Sequence, residues 1–324
     1  MKTSHRCAPV IPHPFPITSP ATIHKTPMYL PGTDCPIFRQ ASLESLTSFR
    51  VGGAAEWYVA PRSWEALQTS FEWAQSQGLP LTVLGAGSNL LVSDHGVDGL
   101  AVGTRYLRDT QFDPDTGQVS AGAGKPIATL AWQLAKRGWQ GMEWAVGIPG
   151  TVGGAVAMNA GAHHSSVADV LVSALVLSPD GTIEELTPQD LGYSYRTSIL
   201  QGDNRLVVQA TFQLQPGATK AEVMTTTQQN LQQRKSSQPY HLPSCGSVFR
   251  NPDSHSAGWL IEQMGLKGYQ IGGAQVAHRH ANFILNCNGA KADDIFRLIR
   301  YIQEQVEYHW SISLKPEVRL LGKF

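Results

Sequence analysis

The sequence predicts an α+β fold in two parts, on three observations. Helix-spaced apolar stretches and β-rich runs alternate along the chain, and short Gly- and Pro-rich turns separate them. A Pro/Gly/Ser-dense segment, "SSQPYHLPSCGSVFRNP", reads as a junction between a longer first part and a shorter second one. With 324 residues, 42% of them hydrophobic, the chain can supply the apolar mass for both.

In chain order, Met1–Thr26 is broken by Pro and His and has no periodic apolar face. It reads as an extension, and residues 1–40 are expected to be largely disordered. Ser63–Gln77, "SWEALQTSFEWAQSQ", carries apolar residues at helical spacing behind a serine cap, and "LPLTVLG" follows as a buried strand. The turn "LGAGSNLLV" at Leu84–Val92 then sets Gly85, Gly87, Ser88 and Asn89 directly after a strand. Bare backbone with hydroxyl and amide donors at that point suits a phosphate.

Next come "VSAGAG" at Val119–Gly124, a helix near Pro126–Arg137, and "GIPGTVGGAVAMNAGAHH" at Gly147–His164, with glycine at 147, 150, 153, 154 and 161. Strand-like runs at Val170–Leu177 and Arg205–Leu214 bracket "LGYSYRTSIL", and a helix is expected over Lys220–Lys235. The domain boundary falls near residues 215 to 240, giving domains of 41–215 and 216–324. The second holds a short helix at Ala257–Met264, a strand in "HANFILN", a helix over Ala292–Tyr308 and a final strand in "SLKPEVRLLG".

Lys+Arg and Asp+Glu both total 25, so no global basic field argues for nucleic acid or an anionic membrane. No apolar run approaches the ~20 residues of a membrane helix, and the N-terminus lacks a signal-peptide core. Cys7, Cys35, Cys245 and Cys287 show no C-x-x-C or zinc spacing, which suits free thiols in a reducing, cytoplasmic setting. His278 and His280, placed on one face of a strand, have no Asp, Glu or Cys at ligand spacing, and no metal is assigned.

Two glycine turns in one half of the chain point to a dinucleotide. A Rossmann fingerprint would need G-x-G-x-x-G, and "GAGSNL" lacks the third glycine. The alternative is a cradle of two separated loops whose backbone N–H groups share one pyrophosphate.

Eight motifs make a resemblance specific. "SFRVGGAAEW", "LGAGSNLLV", "GMEWAVGIPGTVGGAVAMNAGAH", "YSYRTS", "PSCGSVFRNP", "AGWLIEQMGLKG", "HANFILN" and "LKPEVRLLG" occur in the order seen in the UDP-N-acetylenolpyruvoylglucosamine reductase (MurB) family, across Ser48–Gly322. The chain resembles the shorter subtype, which lacks a substrate-capping tyrosine loop. Ala86, Arg250 and His164 stand where glycine, lysine and glycine are common in the family.

The resemblance implies an FAD-binding domain of the vanillyl-alcohol-oxidase (PCMH) type in two subdomains, followed by an α/β substrate-binding domain. It also implies noncovalent FAD, NADPH as reductant, and UDP-N-acetylglucosamine enolpyruvate as substrate, reduced to UDP-N-acetylmuramate by hydride from flavin N5 for peptidoglycan synthesis. A monomer is expected. FAD would lie against Arg50, Gly52, Gly85, Ala86, Gly87, Ser88, Asn89, Gly147, Pro149, Gly150, Thr151, Gly153, Gly154, Asn159 and Gly161. The substrate would meet Tyr195, Arg250, Asn251, Lys267 and His280.

Three residues match the family's catalytic positions. Hydride addition to the vinyl CH2 carbon pushes charge through its neighbour into the carboxylate. A planar, permanently charged Arg196 suits the carboxylate. Ser247 would deliver the proton, with Cys245 as its rival. Glu317, raised in pKa by burial, would stabilise the enolate. A covalent-FAD oxidase would normally carry a histidine in or beside the first loop, where this chain has Ser88 and Asn89. A non-catalytic nucleotide module would have no need of Arg196, Ser247 and Glu317 together.

Overall fold

A computed structural model describes residues 28–324. Strands β1 (Met28–Tyr29), β2 (Pro36–Ser42) and β3 (Ala54–Val59) open the chain; helix α1 (Trp64–Ser76) leads to β4 (Leu81–Leu84), β5 (Leu90–Val92) and β6 (Val97–Gly103). They form a five-stranded sheet ordered β1-β2-β3-β6-β4, antiparallel at β1/β2/β3 and parallel at β3/β6/β4, with β5 outside it. Ser63 caps α1 by accepting from Ala66 N. The helix turns Ala66, Leu67, Phe71 and Ala74 onto Val59, Leu100 and Val102.

The extension expected to reach residue 40 is therefore shorter: Leu30, Cys35 and Ile37 are buried beneath α1, and β2 pairs with β3. The expectation for Met1–Thr26, and Cys7 with it, lies outside the described residues.

A second sheet joins β7 (Thr110–Asp113), β8 (Gln118–Gly122), β11 (Leu171–Leu177), β12 (Ile183–Leu186) and β13 (Leu206–Gln213), all antiparallel in the order β12-β11-β13-β8-β7. Helices α2 (Ile127–Ala135) and α3 (Val152–Met158) and the small hairpin of β9 (Gly161–Ala162) and β10 (Ser165–Ser166) fall between β8 and β11. The core of this sheet joins Val119, Ala174 and Phe212 to Leu130, Leu134 and Val156 of the helices. Leu177 and Leu206 also enter the first sheet's core, so the two sheets share packing.

Helix α4 (Lys220–Ser237), assigned above to the second domain, packs on α2 instead, with Leu231 against the second sheet's core. The remaining chain forms α5 (Ala257–Gln263), the three-stranded sheet β14 (Gln270–Ile271), β15 (Ala274–Val276) and β16 (Ile284–Asn286), then α6 (Ala292–Trp310) and β17 (Arg319–Leu321). Ile295, Leu298, Ile299, Ile302 and Val306 make the buried stripe of α6, each contributing about 1.5–3 kcal/mol on leaving water.

Two expected strands are shorter than the sequence suggested. Of "HANFILN" only Ile284–Asn286 is strand, and His278 and His280 lie in the preceding turn. Of "SLKPEVRLLG" only Arg319–Leu321 pairs fully, in parallel with β5. The last strand thus returns to the first half of the chain. Asp94, just after β5, accepts from Ala292 N and Asp293 N at 2.9 and 3.0 Å and caps α6 across that junction.

Candidate active site

After β4 the backbone turns through Gly85–Asn89. Ser88 Oγ donates to Pro149 O at 2.8 Å, and this bond ties the first glycine loop to the second. Asn89 Nδ2 donates to Glu317 O at 2.9 Å, while Arg319 N donates to Asn89 O at 3.0 Å. The side chains of Ser88 and Asn89, read above as ligand donors, are spent on holding three chain segments together. What the loops leave open is backbone. Gly150, at φ +145°, has only Ser88 Oγ near the place a Cβ would occupy, and its conformation strains any L side chain.

These loops line a cavity of about 520 Å³ with the residues expected to do chemistry. Gly85, Ala86, Gly87, Ser88, Asn89, Pro149, Gly150, Thr151, Gly153, Gly154 and Gly161 all reach it, as do Tyr195 and Asn251. So do Arg196, Ser247 and Glu317, from three segments far apart in sequence.

Arg196 sits at the tip of a tight turn closed by paired hydrogen bonds between Ser194 and Thr197, with its own backbone in the left-handed region at φ +56°. Its Nε donates to Glu317 Oε1 at 3.1 Å, Nη2 to Gly161 O at 2.5 Å and Nη1 to Asn159 O at 3.5 Å. Of a guanidinium's five N–H groups this leaves some free for a second carboxylate. Ser247 precedes Val248, whose carbonyl accepts from Glu317 N at 2.7 Å, so the serine and the glutamate are set in register by one backbone bond.

Burial raises the Glu317 pKa above its ordinary value. Arg196, Arg250 and Arg234 pull the other way, and desolvation wins. The folded chain therefore holds that proton more tightly than the unfolded chain. The resulting stability is present below the unfolded carboxylate value of 4.5 and is lost as pH rises through the folded one. The urea midpoint of flavin-free protein is expected to fall over this window, and in Glu317→Gln that portion of the slope should vanish. An unchanged slope in the variant would place the titration on another group.

Several expected site residues lie off the cavity wall. Arg50 and Gly52 form a turn packed under β5, where Gly53 N donates to Ser93 O and a Cβ on Gly52 would meet Val92. Gly147 makes room for the stem of Arg234, whose Cδ would collide with an added Cβ. Asn159 ends α3 in the left-handed region and spends its amide on Ser194 O and Ala168 N, so it seats the Arg196 turn. Lys267 pairs with Glu262 on the surface. His280 is half-buried and accepts from Asn282 N through Nδ1, and burial lowers its pKa. Arg250 is not on the wall; its guanidinium donates to Thr197 and to Gln201.

The spacing-based reading missed other wall residues, among them Arg234 from the last turn of α4, Arg319, Gln201 and Asn282. Arg319 had a signal, since strand alternation places 317 and 319 on one face. Nothing in the spacing of Arg234, Gln201 or Asn282 marks them. Asn282 is buried and pairs with both backbone groups of Phe249, at 2.9 and 2.8 Å, which holds the Ser247 segment where a longer strand had been expected.

Comparison with known proteins agrees with this layout. Residues 55–187 match the family model described as FAD binding domain, and residues 238–321 match that of the UDP-N-acetylenolpyruvoylglucosamine reductase C-terminal domain. A reductase of that name from Nostoc sp. is 68% identical over 297 residues, 92% of this chain and 90% of the relative; one from Synechocystis sp. is 58% identical over 316 residues, 95% and 99% respectively. The crystal structure of the Thermus caldophilus enzyme, 33% identical, superposes with a TM-score of 0.74 over 89% of this chain and 99% of that one. The α+β class and an FAD-binding first part stand as expected from the sequence. On the identity and coverage of these relatives, the chain is a member of the UDP-N-acetylenolpyruvoylglucosamine reductase (MurB) family of oxidoreductases.

Proposed function

We propose that the protein reduces UDP-N-acetylglucosamine enolpyruvate to UDP-N-acetylmuramate in peptidoglycan precursor synthesis, with noncovalent FAD and NADPH as reductant, in the cytoplasm. The observation that carries this reading is the meeting of Arg196, Ser247 and Glu317 in the cavity that both glycine loops line.

The loops suit a dinucleotide. Two stretches of bare backbone, held together by Ser88, face one space, and at Gly154 an added Cβ would find only the ordinary contact of Thr151 Oγ1 at 3.5 Å. Bound there, FAD supplies the hydride. Gly85, Ala86, Gly87, Gly150 and Gly154 would hold its phosphates through the backbone.

The chain's own groups do the rest. Arg196 grips the substrate carboxylate with its free N–H groups and fixes the vinyl carbons relative to the loops. Negative charge that develops toward that carboxylate meets the guanidinium and a Glu317 carboxyl whose burial favours the protonated form. Ser247 then gives its hydroxyl proton to the carbon bearing the charge; serine is a weak acid, but a carbanion-like centre about 3 Å away is a far stronger base.

Purified protein is expected to be yellow, to release its flavin on denaturation, to bleach with NADPH under anaerobic conditions, and to regain colour when the enolpyruvyl nucleotide is added. Flavin that stays on the denatured chain would contradict noncovalent binding. A bleached flavin that the nucleotide cannot reoxidise would overturn the assigned reaction.

A further inference from the structure

We propose that Gln201 is a positioning residue for Arg196, a role that rests on the reaction assigned above. Left-handed backbone at a non-glycine residue is strained and persists only where its surroundings over-determine it. Arg196 is such a residue, and from that backbone its guanidinium reaches Glu317, Gly161 and Asn159.

Beside Asn159, which holds Ser194, the constraint on Arg196 itself is Gln201. Its Nε2 donates to Arg196 O at 2.8 Å and to Ala157 O at 3.3 Å, and its Oε1 accepts from Arg250 Nη2 at 3.2 Å. The amide can sit only this way round, because the reverse would set an oxygen against two carbonyls and an NH2 against a guanidinium. Arg250 completes the bracket by donating from Nη1 to Thr197 Oγ1 at 2.8 Å, while its backbone N donates to Lys315 O at 2.9 Å.

One amide and one guanidinium thus join the turn that carries Arg196 to the two strands of chain that carry Ser247 and Glu317. The carboxylate grip and the proton donor approach the substrate from different halves of the chain. The Arg196–Glu317 ion pair and the Asn89–Glu317 bond also cross between these halves, but the Gln201–Arg250 bracket is the link that holds the backbone of Arg196 to the Ser247 segment.

Two variants test this, each read at full flavin content. Gln201→Leu removes both ends of the bracket. Gln201→Glu keeps an oxygen toward Arg250 but turns the other against Arg196 O and Ala157 O. Both should bind the enolpyruvyl nucleotide about 10-fold more weakly in calorimetry on the oxidised protein. Both should slow flavin reoxidation by the nucleotide on the order of 10²-fold, the cost of displacing a reacting group by about 1 Å. Flavin reduction by NADPH should keep the parent rate.

Should the leucine variant fail to fold, the glutamate variant decides. Reoxidation and affinity equal to the parent's would overturn the proposal, as would equal slowing of both half-reactions, the mark of general loosening. A parent protein that binds the nucleotide without being reoxidised by it would instead refute the reaction assigned above, and the affinity comparison would still decide the role of Gln201.

Discussion

Ser247→Ala is expected to be reduced by NADPH as fast as the parent and to lose nearly all reoxidation by the enolpyruvyl nucleotide. The serine is needed only after hydride has reached the vinyl carbon, so the first half-reaction has no use for it. The loss should reach or exceed the 10²–10⁴-fold usual for a general acid, because an intermediate that finds no proton can return its hydride. Cys245 is the control. It lies in the hydrophobic core of the C-terminal part, and burial, reinforced by the Glu317 carboxylate, pushes its thiol pKa up. Cys245 borders the same cavity as Ser247 but belongs to that apolar cluster, where its thiol resists ionisation, and Cys245→Ala should reoxidise nearly as the parent does. Rapid-mixing absorbance of each half-reaction separates the cases. A serine variant at the parent rate beside a stalled cysteine variant would move the donor to Cys245.

Arg196→Met should fail differently. Methionine keeps an unbranched stem but removes every N–H that the carboxylate would use. Loss of one preorganised donor to developing charge costs on the order of 10²–10³-fold, and here the whole fork is lost. Affinity for the enolpyruvyl nucleotide should fall together with the reoxidation rate, whereas Ser247→Ala should bind the nucleotide at parent affinity. The variant also leaves Glu317 without its ion-pair partner, so the carboxyl should titrate still higher than in the parent. An Arg196→Met protein with normal nucleotide affinity would show that the carboxylate is held elsewhere, with Arg205, Arg234 and Arg319 the other arginines on the same wall.

What could be read from the sequence was local. The serine cap and apolar spacing of α1, the stripe of α6 and the glycine density at 147–164 each depend on residues a few positions apart, and each took the expected form. Gly147 and Gly52 show where this stops: both look like ligand-facing glycines, yet one accommodates the stem of Arg234 and the other the side chain of Val92. Those partners lie 87 and 40 positions away, and no spacing rule connects them. Ser88 and Asn89 were placed on the right loop for an incomplete reason. Their side chains bond to the carbonyls of Pro149 and Glu317, partners that come within reach only once the three segments have met. Arg250 followed the same course, from an expected substrate contact to a bracket for the turn bearing Arg196.

The return of β17 to β5 sets an order of events during synthesis. Asn89 and the backbone of Glu317 are 228 positions apart, so the wall that Glu317 and Arg319 contribute cannot exist on a nascent chain that has only reached α6. The sheets of the first half can form while the ribosome is still translating the rest, but the pocket closes only through one of the longest-range pairings in the fold, which makes it a late and entropically costly step. Retained flavin is therefore a report on finished molecules: a pool of stalled or prematurely ended chains would hold the glycine loops and still be colourless.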